Sequence, residues 1–156
     1  MRDAKTTHKI MSSVPSKDTR PELALRHELW QRGLRYLANT KKVTGKPDIA
    51  FSKVKLAVFC DGDFWHGHNW AIRGYGSLED ELCRYSQYWA DKIRRNIGRD
   101  REVTEKLEAE GWTVLRIWES DIKKDLTKSA NLVEYTYRLL LLKQQKDSGG
   151  NTIDYL

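Results

Sequence analysis

The sequence GKPDIAFSKVKLAVFCDGDFWHGH, residues 45–68, decides the fold of this chain. It contains two apolar runs, 48–51 and 54–60, and the short gap at Ser52 and Lys53 is typical of two antiparallel strands joined by a hairpin. The second run leads into acids, aromatics and imidazoles rather than into simple turn residues. Side chains of this kind at the carboxyl end of a strand are typical of an α/β active site. A loop that folds its aromatic rings back over the core is the alternative interpretation.

The residues around these two strands predict an α/β fold. A helix should begin near Asp18, where a capping residue, a proline and an early acid follow one another, and should end at Gly33. The pattern then predicts a strand over 34–38, an irregular connection over 69–80, a long helix over 81–110, a strand over 112–118 and a last helix over 128–146. This order predicts a mixed β-sheet flanked by helices. The apolar stripes expected to face the core are Leu23, Leu25, Leu29 and Trp30 in the first helix, and Leu132, Tyr135, Leu139 and Leu142 in the last. Val133 and Leu140 form a flanking row on the last helix.

Length and composition fit a single domain. The chain has 156 residues, of which 39% are hydrophobic and 32% charged, enough for one apolar core. Residues 1–18 are predicted to be a flexible basic arm, 19–147 the domain itself and 148–156 a loose C-terminal tail. The sequence shows neither a signal peptide nor the roughly 18 apolar residues that span a membrane, so we expect a cytoplasmic protein with no membrane partner. Its two cysteines provide neither a disulfide framework nor a Cys-rich zinc site.

The charge of the chain favours a polyanionic partner. The formal net charge is +6, with a pI near 9.3. Six Trp and seven Tyr residues add rings that can stack on nucleic-acid bases. Basic side chains interleaved with aromatic rings predict a nucleic-acid surface, with solvated helix faces as the alternative. The basic residues concentrate in two places: Lys5, His8, Lys9, Lys17, Arg20, Arg26 and Arg32, and Lys92, Arg94, Arg95, Arg99 and Arg101.

Two aspartates occupy positions where a carboxylate is costly. Asp100 lies on the same helical face as Trp89, Ile93 and Leu107, and a carboxylate on a core-facing stripe needs a partner. It is either part of a buried ion pair or helix cap, or an acid that orients an imidazole or joins a metal site. Asp48 opens an apolar strand although strands are depleted in Asp. It is either a turn acid or a metal ligand.

The order of residues around this strand pair is typical of metal-dependent nucleases that hold magnesium between neighbouring strands. In many such enzymes the second strand supplies an acid-x-Lys triplet. Here the corresponding residues are Cys60-Asp61-Gly62, without the lysine. Another group must then activate water, and His66 is the candidate general base.

In its motifs the chain resembles the very-short-patch-repair (Vsr) DNA mismatch endonucleases and the homing-type nucleases that share their core. The resemblance runs from about Lys9 to Asp121. It is carried by Gly45-Lys-Pro-Asp48, Phe64-Trp-His66, Tyr88-Trp-Ala-Asp-Lys-Ile93, Asn96 with Arg99-Asp100, and Gly111-Trp-Thr-Val-Leu-Arg-Ile-Trp-Glu119. It implies a small single-domain core like that of the restriction endonucleases. It also implies a monomer in the bacterial cytoplasm, associated with the nucleoid.

The resemblance implies magnesium-dependent hydrolysis of one DNA phosphodiester. Asp48 and the backbone carbonyl of Cys60 would ligate Mg²⁺, and His66 would deprotonate the attacking water. Asp100 would hold the imidazole ring, and Glu22 would support the site through water. The bound ions would stabilise the charge that develops at the phosphorus centre.

The resemblance also implies how double-stranded DNA is bound. Aromatic rings would wedge into the base stack beside a mismatch, and a methionine of the arm would enter from the minor groove. Unstacking costs least at a mispair, which favours T:G sites formed by deamination of 5-methylcytosine. A lysine and an asparagine would read the mispair. The matching positions are Phe64, Trp65, Trp89, Met11, Lys92 and Asn96.

Two other functions stay open beside mismatch-specific nicking of one strand. A homing or restriction-associated endonuclease would use the same catalytic core on intact duplex DNA. A DNA-binding protein without catalysis is disfavoured because all five site positions of the family are filled. A mismatch-repair helper is a further candidate partner.

The chain departs from the family at the structural zinc, whose Cys and His ligand positions hold Asp63, His68, Trp70 and Ser120 here. At most Asp63 and His68 could bind zinc, too few for a closed tetrahedral site. We therefore expect no zinc, with packing by Trp70 and its neighbours in its place, and Asp63 and His68 as relics of a lost site. The loop 69–84 is longer than in typical members, so we expect it to contact DNA or to alter the sequence that is recognised.

Overall fold

One mixed sheet is the centre of the computed structural model, which describes residues 17–149. Its strands are β1 (Leu37–Ala38), β2 (Ile49–Phe51), β3 (Leu56–Asp61) and β4 (Thr113–Trp118), in that order across the sheet. The helices are α1 (Arg20–Gln31), α2 (Asn69–Ile72), α3 (Leu78–Leu82), α4 (Gln87–Ala109), α5 (Glu119–Lys124) and α6 (Leu126–Gly149). The predicted α/β architecture, a mixed sheet flanked by helices, is confirmed and is consistent with a restriction-endonuclease-like core.

The predicted hairpin forms, and a parallel pair of strands joins it to the second half of the chain. β1 pairs with β2, and β2 with β3, in antiparallel orientation. β3 and β4 run parallel, from Leu56 opposite Thr113 to Asp61 opposite Trp118. All six residues of β3 are buried, which explains its continuous apolar run. Because parallel strands end at the same edge of a sheet, the acids and imidazoles after β3 lie beside the end of β4.

Helix α1 begins and ends where the sequence predicts. Thr19 is its N-cap, and Gly33 follows the helix with φ +84°, the left-handed conformation that favours glycine. Of the predicted apolar stripe, Leu25 and Leu29 are fully buried, but Leu23 and Trp30 are half exposed. Assigning all four to the core was wrong. Residues 23 and 30 are seven apart and share one helical face, which points away from the face of the buried leucines.

The connection after β3 contains two short helices that the sequence does not predict. α2 and α3 lie where an irregular loop was expected, and Ser77 caps α3 by accepting a hydrogen bond from the backbone N–H of Asp80. The long helix α4 begins at Gln87 rather than at residue 81. Leu82 is buried in a small apolar cluster with Ala90 and Ile93, so this segment packs against α4.

Helix α6 packs on the core with a different face from the predicted one. The four residues of the predicted stripe are between 46% and 65% exposed: Leu132, Tyr135, Leu139 and Leu142. Ala130 and Val133 are fully buried instead, and Tyr137, Leu140 and Leu141 pack against the same core. The prediction was wrong because α6 carries apolar residues on two faces. Ser129 and Ala130 are buried on this second face, and α6 lies beside α1, to which Arg32 joins it by hydrogen bonds to Asn131 and Glu134.

The predicted arm and tail lie mainly outside the described residues. This includes all of residues 1–16, with Met11, and residues 150–156. Helix α6 extends to Gly149, two residues into the predicted tail. Within residues 17–149, no helix is long and apolar enough to cross a membrane.

Candidate active site

An open cavity of about 330 Å³ lies at the carboxyl end of β3. It brings together all five positions predicted for catalysis and metal binding. Glu22, Cys60 and His66 line it, Asp48 is hydrogen-bonded to Cys60, and Asp100 to His66. The complete lining consists of Thr19, Glu22, Cys60, Gly62, Trp65, His66, Lys92, Asn96, Arg99 and Glu119.

Glu22 and Asp48 form a pair of carboxylates at one side of the cavity. Asp48 Oδ2 accepts a hydrogen bond of 2.7 Å from the backbone N–H of Cys60. The pKa of Asp48 is raised to about 7, chiefly by burial; the Cys60 hydrogen bond and the charge of Arg26 oppose this shift, and the charge of Glu22 adds to it. Glu22 is only 2% exposed, and burial raises its pKa as well. Two carboxylates so poorly solvated favour the uptake of a proton or a cation.

Arg26 compensates for part of this negative charge. Its guanidinium is ion-paired with Glu22, and it donates hydrogen bonds to Asp18 Oδ1 at 2.7 Å and to the backbone oxygen of Asp48 at 3.3 Å. Arg26 is 7% exposed, so placing it in the predicted basic surface was wrong. The signal that could have identified its role is the spacing of four residues between Glu22 and Arg26, which puts the two on one face of a helix.

The donor set around Asp48 fits a hard divalent cation. The carboxylates of Asp48 and Glu22 and the backbone carbonyl of Cys60 offer oxygen ligands, which Mg²⁺ prefers. Burial and the surrounding carboxylates raise the pKa of the Cys60 thiol well above its ordinary range. In the metal-free protein the neutral thiol is therefore favoured.

His66 Nδ1 is hydrogen-bonded to Asp100 Oδ2, across the gap between the loop after β3 and helix α4. Of the interpretations of Asp100, the structure agrees with an acid that orients an imidazole. Burial lowers the pKa of His66, but the Asp100 hydrogen bond and the charges of Asp61 and Asp100 outweigh it, so the pKa is raised overall. With Nδ1 bonded to Asp100, Nε2 is the ring nitrogen left for a substrate in the cavity.

The close approach of this loop to α4 requires a glycine after His66. Gly67 has φ +72°, and a Cβ added there would lie 2.7 Å from Ile97 Cδ1. Such a contact is shorter than van der Waals packing allows. The loop is thereby held against the helix that carries Asp100.

A second carboxylate, Asp61, also faces the imidazole. Its Oδ1 lies 3.9 Å from His66 Nδ1. Asp61, His66 and Asp100 have ligand atoms within 4.8 Å of one another, an acidic and imidazole group that could hold a metal ion. Arg116 already supplies positive charge there, since its Nη1 donates to both carboxylate oxygens of Asp61 at 3.1 and 3.2 Å. Sequence reasoning missed both residues as site residues; the signal was a lone arginine in the apolar strand β4.

An aromatic cluster borders the cavity. The ring of Phe64 lies 5.4, 5.4 and 5.7 Å from the rings of Trp65, Tyr85 and Trp89. Trp65 lines the cavity, whereas Trp89 is 4% exposed and packs against Trp65 at 5.4 Å. Of the aromatics predicted to wedge into DNA, Trp65 is therefore the accessible one at the cavity, and Phe64 and Trp89 support it.

Lys92 and Asn96, predicted to read DNA bases, lie on α4 at the cavity. Lys92 Nζ is 4.8 Å from the ring centroid of Trp65, a cation–π contact. Asn96 Nδ2 donates to the backbone oxygen of Trp65 at 3.0 Å, and its Oδ1 accepts from Arg99 at 3.2 Å. Arg99 was not among the predicted site residues, although its helical spacing from Lys92 and Asn96 is a signal for it. α4 thus presents a row of hydrogen-bond donors beside Trp65.

Three of the four positions matched to the family's zinc are joined by hydrogen bonds. Asp63 Oδ1 lies 2.8 Å from His68 Nδ1 and accepts from the Ser120 hydroxyl at 2.7 Å, and Asp63 Oδ2 accepts from the Ser120 backbone N–H at 3.0 Å. The His68 ring stacks on Trp118 at 4.0 Å. Asp63 and His68, predicted to be relics of a lost zinc site, tie the His66 loop to the start of α5 through these contacts. The sequence predicts that packing by Trp70 and its neighbours, rather than hydrogen bonds, replaces the zinc.

The chain is similar in sequence to known proteins. A family model described as DNA mismatch endonuclease Vsr matches residues 1–72. The type II nicking enzyme V.NmeDIP of Neisseria meningitidis serogroup C is 47% identical over 130 residues, 83% of this chain and 84% of that protein. The type II nicking enzyme V.HpaIIP of Haemophilus parainfluenzae is 39% identical over 76% of this chain and 81% of that protein. The DNA mismatch endonuclease Vsr of Escherichia coli strain K12 is 29% identical over 78% of this chain and 74% of that protein.

Removing the charge of Asp48 is expected to stabilise the metal-free protein at about pH 8. Because the folded-state pKa is raised to about 7, the folded protein holds this proton more tightly than the unfolded chain does. The free energy of unfolding therefore falls as the pH rises from about 4 to about 7. Asp48→Asn should be more stable than the wild type at about pH 8, on the order of 2 kcal/mol, since one pKa unit corresponds to ~1.4 kcal/mol and Glu22 shares the shift.

Urea denaturation in a chelating buffer measures this difference. The advantage of Asp48→Asn should disappear below about pH 3, where the carboxyl is mostly protonated in both the folded and the unfolded wild type. Asp121→Asn, which removes an exposed carboxylate on α5, is the matched control and should show no such pH dependence. A variant that is less stable than the wild type at about pH 8 would contradict the assignment of Asp48 as a destabilised acid.

Proposed function

We propose, since the chain belongs to the Vsr DNA mismatch endonuclease family, that it nicks one strand of duplex DNA at T:G mispairs. Its relatives are DNA endonucleases, so the chain is a phosphodiester hydrolase that acts on DNA. The observation that supports nicking at a mispair is that three groups of side chains lie together at one cavity. These are the carboxylates of Glu22 and Asp48, the imidazole pair of His66 and Asp100, and the ring of Trp65.

In the proposed reaction His66 is the general base. Nε2 of His66 takes a proton from a water molecule, the water oxygen attacks the phosphorus, and the bond to the leaving oxygen of the DNA strand breaks. Asp100, bonded to Nδ1, keeps the ring in the tautomer that has a free Nε2 and stabilises the imidazolium that forms. Glu22 supports the site through a water molecule. The raised pKa of His66 makes it a stronger base than an ordinary histidine.

Magnesium is the cofactor that we propose, with Asp48 and the backbone carbonyl of Cys60 as its protein ligands. When bound there, it would supply the positive charge that stabilises the developing phosphorane-like transition state. The oxygen donors at the cavity support this choice. We propose no structural zinc, because Asp63, His68 and Ser120 provide no thiolate and are already hydrogen-bonded to one another.

Selection of a mispair is proposed to begin with the base stack. Trp65, supported by Phe64 and Trp89, would enter the stack beside the mismatch, where unstacking costs least. Lys92 and Asn96, on the row of donors along α4, would then contact the mispaired bases. Residues 1–18, with Met11, would form the arm that reaches the minor groove. A monomer suffices for this arrangement, because one cavity carries the whole proposed site.

Nicking of an intact recognition sequence is the second candidate function. The relatives at 47% and 39% identity are named type II nicking enzymes, whereas the relative named a mismatch endonuclease is 29% identical. A homing or restriction-associated role on intact duplex DNA would use the same catalytic groups. The two functions differ only in whether a mispair is needed.

Cleavage of randomised duplexes distinguishes these functions. We expect a nick in one strand of duplexes that contain a T:G mispair, only in the presence of Mg²⁺, and no cleavage of the matched pool. The physical reason is that a mispair lowers the unstacking cost that wedge insertion must meet. Sequencing of the nicked ends identifies the site. Double-strand cleavage of the matched pool refutes the repair function, and nicking of both pools at equal rates favours the alternative.

Replacement of the imidazole should separate binding from chemistry. His66→Ala is expected to lower the nicking rate by about 10²- to 10⁴-fold, the usual contribution of a positioned general base, while DNA binding stays nearly intact. Single-turnover kinetics and a gel-shift titration measure the two properties. His27→Ala, which changes an exposed histidine on α1, is the matched control and should leave both unchanged. Nicking retained by His66→Ala would remove this residue from the mechanism.

A further inference from the structure

Arg116 connects the strand pair to the helix that carries Asp100. Its Nε donates to the hydroxyl of Thr104 at 2.9 Å, and its Nη2 donates to the backbone oxygen of Asp100 at 3.1 Å. The guanidinium also lies 4.2 Å from the ring centroid of Phe59 on β3. An arginine held from so many sides has little freedom to move, so the groups that it contacts are fixed relative to one another.

Two carboxylates compete for one nitrogen of His66. Asp100 Oδ2 is hydrogen-bonded to Nδ1, and Asp61 Oδ1 lies 3.9 Å from the same atom, beyond hydrogen-bonding distance. A ring N–H can serve only one strong acceptor at a time, and a different choice would rotate the ring. Asp61 is 5% exposed, so without another partner its charge would be drawn towards the imidazole.

The contacts of Arg116 decide this competition. Its Nη1 donates to both oxygens of Asp61, at 3.1 and 3.2 Å, which occupies the carboxylate that faces His66 from the strand. Towards Asp100 it bonds the backbone oxygen and stays 3.7 Å from Oδ1, so Oδ2 remains for the imidazole. The guanidinium of Arg116 thus contacts the side-chain carboxylate of Asp61 but the backbone oxygen of Asp100.

We propose that Arg116 and Asp61 are a positioning pair for His66, in which Arg116 holds Asp61 away from Nδ1 and leaves Asp100 as the partner of the imidazole. The proposal rests on the proposed function, because it assumes that His66 is the general base. Neither residue touches the reacting atoms. Their effect is on the orientation of the ring and thus on the direction of Nε2.

A double-mutant cycle tests this pair. Arg116→Met should lower kcat by about 10- to 100-fold, the effect typical of groups that orient a catalytic residue, with KM for DNA changed by less than about twofold. Asp61→Asn together with Arg116→Met should recover most of the lost kcat, because no orphan carboxylate is left to compete with Asp100. Arg138→Met, which removes an exposed, ion-paired arginine on α6, is the matched control.

The orientation of the ring has a readout that does not depend on activity. At a pH above the pKa of His66, its ¹⁵N chemical shifts should report a protonated Nδ1 and an unprotonated Nε2 in the wild type and in the double variant. Arg116→Met should give a mixture of ring states. Where Arg116→Met fails to fold, Arg116→Lys keeps the positive charge without the planar fork and should show a smaller loss of kcat. Melting temperatures are measured for every variant.

The outcomes separate this pair from the proposed function. If His66→Ala is inactive and Arg116→Met keeps the wild-type kcat, the pair alone is overturned. It is also overturned if the double variant is as slow as Arg116→Met and if kcat falls among the variants in parallel with the melting temperature. Such a result would mean that Arg116 only stabilises the fold. If His66→Ala nicks at the wild-type rate, the catalytic assignment fails, and the positioning pair fails with it.

Discussion

The parallel pairing of β3 with β4 is the constraint on which the site depends. In its register Phe59 lies opposite Arg116 and Asp61 opposite Trp118, so the arginine reaches the acid at the end of the neighbouring strand. A slip of one residue would turn the two side chains to opposite faces of the sheet. The same pairing places the loop after β3 beside the start of α5, where Asp63 is bonded to Ser120. The loop that carries the imidazole is therefore fixed at both of its ends.

Some of the basic residues that contribute to the net charge of +6 are paired with buried acids, so they do not belong to a DNA-binding surface. A carboxylate buried without a partner costs several kcal/mol, and two of the buried acids at the site have an arginine beside them. Arg26 pairs with Glu22, and Arg116 pairs with Asp61. Asp48 is the exception, because its pKa stays raised to about 7 in spite of Arg26. The residual unfavourable charge there is what a bound divalent cation would neutralise.

Much of the fold could be predicted because the short-range sequence patterns favour the same helices and strands that the packing of the core requires. The hairpin, the start of α1 at its cap and the apolar strand β4 all follow from spacing, capping and turn residues. The buried face of α6 could be predicted only as a flanking row, because both of its faces are apolar and only packing on the core selects the row with Val133. Asp48, His66 and Asp100 could be proposed as site residues from their sequence surroundings, and Glu22 and Cys60 only from the resemblance to the family. Asp61 and Arg116 could not, because their pairing depends on a register between strands more than fifty residues apart.

Binding of Mn²⁺ in place of Mg²⁺, counted by electron paramagnetic resonance of the free ion, tests the central claim most directly. That claim locates the cation at Asp48 rather than among Asp61, His66 and Asp100. The titration compares the wild type with Asp48→Asn and Asp61→Asn at one pH. The account predicts that Asp48→Asn loses the bound ion and that Asp61→Asn keeps it. Loss of the ion in Asp61→Asn, with full binding by Asp48→Asn, would contradict the account.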